Sequence, residues 1–179
     1  METYYGHTGP IYRVRCSPFW HKDDCPIFLT CSYDWTVRVW HAKEKEKHIC
    51  HQIESLKEQV NDICWSPHTS SVFASVANDG RIEIWDLKRD NLQPLLTHHD
   101  KDSEGKDINT PKTIVRFAKN SPVVLAGDLT GKVGVYRTIG LEHVQVSEKD
   151  QIQRLISSIT KDEFGDAGAK GKKAEEEGA

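Results

Sequence analysis

The sequence lacks any apolar run approaching the roughly 20 residues that a membrane-spanning helix needs, which excludes a helical span. Its start, Met1-Glu2-Thr3-Tyr4-Tyr5, has neither the basic opening nor the apolar stretch of a signal peptide. Charge of one sign is also scarce: 24 Lys and Arg stand against 27 Asp and Glu, a formal net charge of −3. No basic excess is available to neutralise phosphates, so nucleic acid is not an expected partner, and neither is a membrane. Of the five Cys, none forms a Cys-x-x-Cys pair. The sets Cys16, His21 and Cys25, or His48, Cys50 and His51, lack the two close pairs of a structural zinc site, so no metal is expected. With no signal peptide, the thiols are read as free, in a reducing compartment, and Cys16, Cys31 and Cys64 as small hydrophobes in strands. The Gly-x-Ser-x-Gly elbow, the phosphate loop and the dinucleotide fingerprint are absent too. Hence no catalytic residue and no cofactor is expected, and the chain is read as a non-enzyme.

What the sequence does hold is a core and a repeat. It is 37% hydrophobic, with five Trp among its 179 residues, which excludes wholesale disorder. Cys31-Ser32-Tyr33-Asp34-Trp35-Thr36-Val37-Arg38-Val39-Trp40 overlays Val76-Ala77-Asn78-Asp79-Gly80-Arg81-Ile82-Glu83-Ile84-Trp85, 45 residues on. Upstream, Val14-Arg15-Cys16-Ser17-Pro18 matches Ile63-Cys64-Trp65-Ser66-Pro67. A weaker third copy runs through Val115-Arg116-Phe117, Val123 to Gly127, and Thr130 to Tyr136, with Thr130 in the Asp position and Tyr136 in the Trp position. Residues 36–40, 81–85 and 132–136 alternate with period two and read as strands. Asp79-Gly80 and Thr130-Gly131 read as tight turns, since Gly reaches positive φ without steric cost. Short strands repeated at 40–50 residues signal propeller blades.

These units resemble the WD40 family: Gly6-His7 matches its Gly-His element, Trp85-Asp86 its Trp-Asp dipeptide, and Trp40-His41 is a variant of the latter. The string Glu2 to Pro10, with Ser17-Pro18-Phe19, Ser32-Tyr33-Asp34-Trp35 and Ile82 to Leu87, is similar to the C-terminal WD-repeat region of axonemal dynein intermediate chains, most like the inner-arm, dynein f type. The resemblance covers residues 2–138. It implies an all-β fold, a partial WD40 β-propeller of about three four-stranded blades. Residues 1–5 would be the last strand of a preceding blade; 6–53, 54–99 and 100–146 are blades one, two and a degenerate three. An amphipathic helix follows at 147–160, expected to pack on the last blade, with a partner-binding helix as the other reading, and then a disordered tail at 161–179.

The family's hydrogen-bond network maps in the first unit onto His7, Asp34, Trp40 and either Thr30 or Ser32. In the second it maps onto Ser75, Asp79 and Trp85, with Leu56 in the His position. In the third it is expected to be essentially gone, replaced by packing. In the family, residues beside the turn Asp point onto one face, which makes Tyr33, Trp35 and Asn78 the candidate protein contacts; for Trp35, packing between blades stays open as the other reading. Phe19, Trp20 and His21 form a further apolar cluster. Lys43 to Lys47 reads as a solvated loop, and 100–107 as a mobile polar loop. The resemblance implies a noncatalytic scaffold in the cytoskeleton of the ciliary axoneme, bound to dynein heavy chain and to other intermediate and light chains, and serving cilium movement. A generic WD-repeat adaptor of another cytoplasmic assembly is the alternative. Three blades cannot close a ring that usually takes seven, so the chain is read as the C-terminal end of a longer intermediate chain, either a fragment or a short isoform, dependent on partners for solubility.

Overall fold

The computed structural model describes residues 3–19, 27–42, 49–54, 58–90, 92–141 and 147–160. The first sheet runs β1 (Ile11–Cys16), β2 (Ile27–Ser32), β3 (Thr36–His41) and β4 (Ile49–Glu54), each antiparallel to the next. The second repeats the pattern with β5 (Val60–Trp65), β6 (Val72–Ala77), β7 (Ile82–Asp86) and β8 (Leu96–His98). After the hairpin β9 (Asp100–Lys101) and β10 (Asp107–Ile108), the third sheet is β11 (Lys112–Phe117), β12 (Val123–Asp128) and β13 (Val133–Arg137). The chain is thus an all-β, partial propeller of three blades that do not close into a ring. Residues 142–146, expected to add the outer strand of the third blade, lie outside the described residues.

Two cores sit between the blades. Leu29, Cys31, Val37 and Val39 of the first meet Ile63, Trp65, Phe73 and Trp85 of the second. The opposite face of the second blade, with Val72, Ala74, Val76, Ile82 and Ile84, meets Val115, Val124 and Ala126 of the third. β6 is buried along its whole length, because both of its faces are covered. Strands buried on both faces read as apolar runs rather than strict alternation, as Val72-Phe73-Ala74 does.

One carboxylate ties the first strands of the three blades together. Asp62 on β5 is fully buried and takes Arg116 Nη1 at 2.7 Å and the Val115 amide at 3.1 Å, with Arg13 and Arg15 each at 3.4 Å.

Several expectations change. Residues 3–5 form no strand; Tyr4 instead stands edge-on to Phe28 and Trp40, with ring centroids 5.2 and 5.8 Å away. Residues 100–107 are not a loose loop but the β9–β10 hairpin, whose turn Asp102 ties by accepting the Glu104 and Lys106 amides, both at 2.9 Å. The helix α1 (Glu148–Thr160) is capped by Ser147, whose Oγ accepts the Asp150 amide. It docks on the first two blades rather than the last. Leu155 and Ile159 join the core between them, and Gln151 accepts the Ser70 amide through Oε1 at 3.0 Å and donates from Nε2 to the His68 carbonyl. Cys31 is buried, its thiol pushed up to about 12 mainly by burial, whereas Cys16 is exposed rather than packed. Trp20, His21, Cys25, His48, Leu56, the 43–47 run and the 161–179 tail lie outside the described residues, as do the side chains of Cys50 and His51.

Candidate functional site

Each blade turns its chain between its second and third strands at an equivalent point, and the three turns are pinned differently. In the first blade, His7 lies between Asp34 and Thr30. Its Nδ1 sits 2.8 Å from Asp34 Oδ2 and its Nε2 2.6 Å from Thr30 Oγ1, which in turn accepts Trp40 Nε1–H at 2.7 Å. The pattern is consistent with one tautomer: the indole donates to the Thr30 hydroxyl, the hydroxyl to Nε2, and Nδ1–H to the carboxylate. Asp34 also accepts the Thr8 and Thr36 amides and the Thr36 hydroxyl. Burial lowers the His7 pKa below its ordinary value against the pull of Asp34, which keeps the ring neutral near pH 7. Asp34 responds in the opposite direction: burial raises its pKa, but the Thr36 and His7 hydrogen bonds outweigh that and hold it at about 2.

Thr30, His7 and Asp34 stand in the hydroxyl–imidazole–carboxylate order of a hydrolase triad. The Thr30 oxygen is buried and already accepts from Trp40, so the order presents no nucleophile to a substrate. Ser32 takes a separate part, donating to the Gly9 carbonyl and accepting the Asp34 amide, both at 3.1 Å.

In the second blade Trp85 Nε1 donates to Ser75 Oγ at 3.0 Å, and Ser75 donates to Glu83 Oε2 at 3.3 Å. Arg81 then links Glu83 at 3.0 Å to Asp79 at 2.7 Å. The structure therefore joins Asp79 to the Ser75–Trp85 pair through Arg81 and Glu83, two side chains that pattern reading passed over as strand residues. Burial raises the Glu83 pKa, which Arg81 partly offsets.

The third blade differs from expectation. Polar order is rebuilt rather than lost. Lys112, only 2% exposed, donates to Asp100 Oδ2 at 2.8 Å and lies 3.6 Å from Asp128. Tyr136, in the Trp position, donates to Asp100 Oδ1 at 2.7 Å. Asp128 accepts the Thr130 hydroxyl at 2.7 Å and the Thr130 and Lys132 amides at 3.0 Å. Burial raises the Asp100 pKa, but the Lys112 and Tyr136 hydrogen bonds with the Lys112 charge carry it well below the usual carboxylate range. The signal that could have found the pin was Asp100 itself, an acid at the mouth of a polar segment facing a Lys on a strand.

Exposed on the turns are the candidate contacts. Tyr33 is 54% and Trp35 49% exposed, so Trp35 is not tucked between blades. The amides of Tyr33, Asn78 and Leu129 each close back onto the chain preceding their blade's first strand, at the Pro10, Gln59 and Pro111 carbonyls. These three thus hold one position in successive blades. Asn78 is half-buried, while Leu129 is an exposed apolar residue that reading around Thr130 overlooked. Trp35 adopts φ +69°, the left-handed region, where the other two blades place Gly80 and Gly131 at φ +88°. A non-glycine residue there costs about 1 kcal/mol or more. At Gly80 a Cβ would lie 2.9 Å from the Ile108 carbonyl oxygen, so glycine is required. The first blade instead keeps a bulky aromatic in a strained, half-exposed turn.

The chain's own similarities agree with this architecture. The profile of the WD domain, G-beta repeat family matches residues 1–41 and 47–86. Dynein axonemal intermediate chain 4 of Homo sapiens is 36% identical over 164 residues, 88% of this chain and 17% of that protein. The protein of the same name in Mus musculus is 38% identical over 140 residues, 76% of this chain and 15% of that protein. Dynein intermediate chain 2, ciliary, of Heliocidaris crassispina is 31% identical over 134 residues, 74% of this chain and 18% of that protein. The chain spans less than a fifth of the length of these curated relatives. It carries WD40 repeats and is homologous to the axonemal dynein intermediate chains.

Proposed function

We propose that the chain acts as a noncatalytic scaffold within an axonemal dynein arm, its blades binding dynein heavy chain and helping to assemble the motor that moves cilia. Homology supports a role as a dynein subunit. Other intermediate and light chains are the further partners of this reading, and the axonemal cytoskeleton is its place. The observation that carries it is Trp35. Strain held in a turn and spent on an aromatic that buries only half its surface is poorly explained by folding, and well explained by a contact made after folding. Tyr33 beside it, and Leu129 at the equivalent position two blades on, extend the same kind of surface.

The test is recovery of dynein heavy chain from ciliary extract by the immobilised 179-residue chain. Tyr33→Ala with Trp35→Ala should lower recovery about tenfold, the scale of losing an aromatic anchor. The melting temperature should not fall. Undiminished recovery by the doubly substituted chain would refute the assignment of this surface.

A further inference from the structure

At the strand ends opposite the turns that carry Asn78 and Leu129, the second blade, the third blade and α1 enclose a cavity of about 260 Å³. Its walls come from the β5–β6 loop, the end of β7, the β11–β12 loop and the chain after β13. The helix closes one side. Gln151 fixes α1 on the β5–β6 loop, accepting the Ser70 amide through Oε1 and the Ser70 hydroxyl at 2.6 Å through its carbonyl. Arg154, three residues on, shares that side of the helix and lines the cavity.

The charge in this wall is uneven. Arg154, Lys88 and Arg89 face a single carboxylate, Asp86. That carboxylate is already engaged: its Oδ1 accepts the Ser71 hydroxyl at 2.7 Å and the Lys88 amide at 3.1 Å. None of the three cations forms an ion pair among the described residues. The Arg154 Nε–H is moreover buried, and no acceptor among the described residues reaches it. A buried donor without a partner has given up its hydrogen bond to water for nothing in return, so it marks a place where an acceptor from outside gains most. Lys88 and Arg89 are exposed, and Leu95 and Phe117 add an apolar wall.

We propose that this cavity is a binding site for an acidic peptide segment of a partner protein. One carboxylate of the segment would pair with the Arg154 guanidinium, whose planar fork suits it. A second would meet Lys88 and Arg89, and an apolar side chain would lie on Leu95 and Phe117. A small inorganic anion satisfies one of these needs and leaves the apolar wall bare. A chain that alternates acidic and apolar residues meets all of them. The site uses neither Tyr33 nor Trp35, so it stands apart from the surface assigned to heavy chain.

Fluorescence anisotropy of a labelled hexapeptide of alternating glutamate and leucine, titrated with the full chain, tests this without any dynein partner. Binding should saturate and should weaken as salt rises. The same peptide with glutamine in place of glutamate should bind at least about tenfold more weakly. Arg154→Gln should weaken the acidic peptide about tenfold. Its circular dichroism melt should match wild type, because the Nε–H it removes has no partner to lose. Should that variant melt early, Lys88→Glu with Arg89→Glu, both exposed, takes its place and should abolish binding. Inorganic phosphate in modest excess should leave the peptide bound. No binding by the wild-type chain, undiminished binding by the variant, equal binding of the glutamine peptide, or displacement by phosphate would each overturn the proposal.

Discussion

The first and third blades solve one mechanical problem, holding a turn against its sheet, with opposite electrostatics. The first uses a neutral imidazole between a hydroxyl and a carboxylate, with an indole closing the chain of donors. The third uses a buried ammonium and a phenol converging on a carboxylate from another element. Losing the neutral His7 comes at moderate cost, because the Asp34 carboxylate it leaves still accepts the Thr8 and Thr36 amides and the Thr36 hydroxyl. An ion pair costs little to replace as a unit and much to break by halves. The pin of the degenerate blade is therefore expected to be the more sensitive of the two to single substitutions.

The largest break in that comparison should come from Asp100→Ala, which removes the nearest carboxylate from the Lys112 ammonium, only 2% exposed, and leaves it Asp128 at 3.6 Å. A loss of about 3 kcal/mol is expected by chemical denaturation, against about 1–2 kcal/mol for His7→Ala in the first blade. Equal losses would mean that the two networks do not differ in kind. Next is Gly80→Ala, which should cost about 2 kcal/mol, since the new Cβ meets the Ile108 carbonyl and φ is +88°.

Acidification should separate the blades by pH. The folded His7 pKa lies below its ordinary 6.5, so below that pH the unfolded chain takes up a proton that the folded chain refuses, and stability falls as pH drops. Asp34, lowered from 3.8 to about 2, stabilises the fold above about pH 4, and that contribution is lost on the way down to about 2. The Asp100 and Asp128 pKa values are also lowered, so the third blade should lose its pin only in the acid range. The protection of β2 and β3 amides, relative to their intrinsic exchange rate at each pH, should therefore fall as pH drops below 6.5 while β12 keeps its own. His7→Gln should abolish that early step.

The smallest effect sharpens the comparison from the other side. Trp35→Gly should raise stability by about 0.5 kcal/mol, the relief of left-handed strain less the added freedom of glycine in the unfolded chain. Heavy-chain recovery should fall all the same. A destabilised Trp35→Gly protein would show that the indole serves the fold rather than a partner.

The repeat and its strands were legible in the sequence because they rest on local chemistry, whereas the His7–Asp34 pairing was legible only through the resemblance to the WD40 family. Period two marks a strand and Gly marks a left-handed turn. Arg81 and Glu83 were legible in principle, as charges alternating along a strand that ends in Trp85. Asp62 was harder to find: a single acid at the start of an inner strand acquires meaning only when Arg13, Arg15 and Arg116 arrive from two other blades, up to 54 positions away.

Sequence by itself determined the blade as a unit, since nearest neighbours set the strand period, the turn and the capped amphipathic helix. Only the tertiary structure decided what each blade's polar groups pair with and which faces are covered. It moved the helix from the last blade to the first two, through Gln151 and Leu155. It turned a polar segment into the hairpin whose Asp100 replaces a missing network. The reason is that the free energy of an ion pair or a covered sheet face depends on desolvation and distance, and both exist only once loops of many residues have closed.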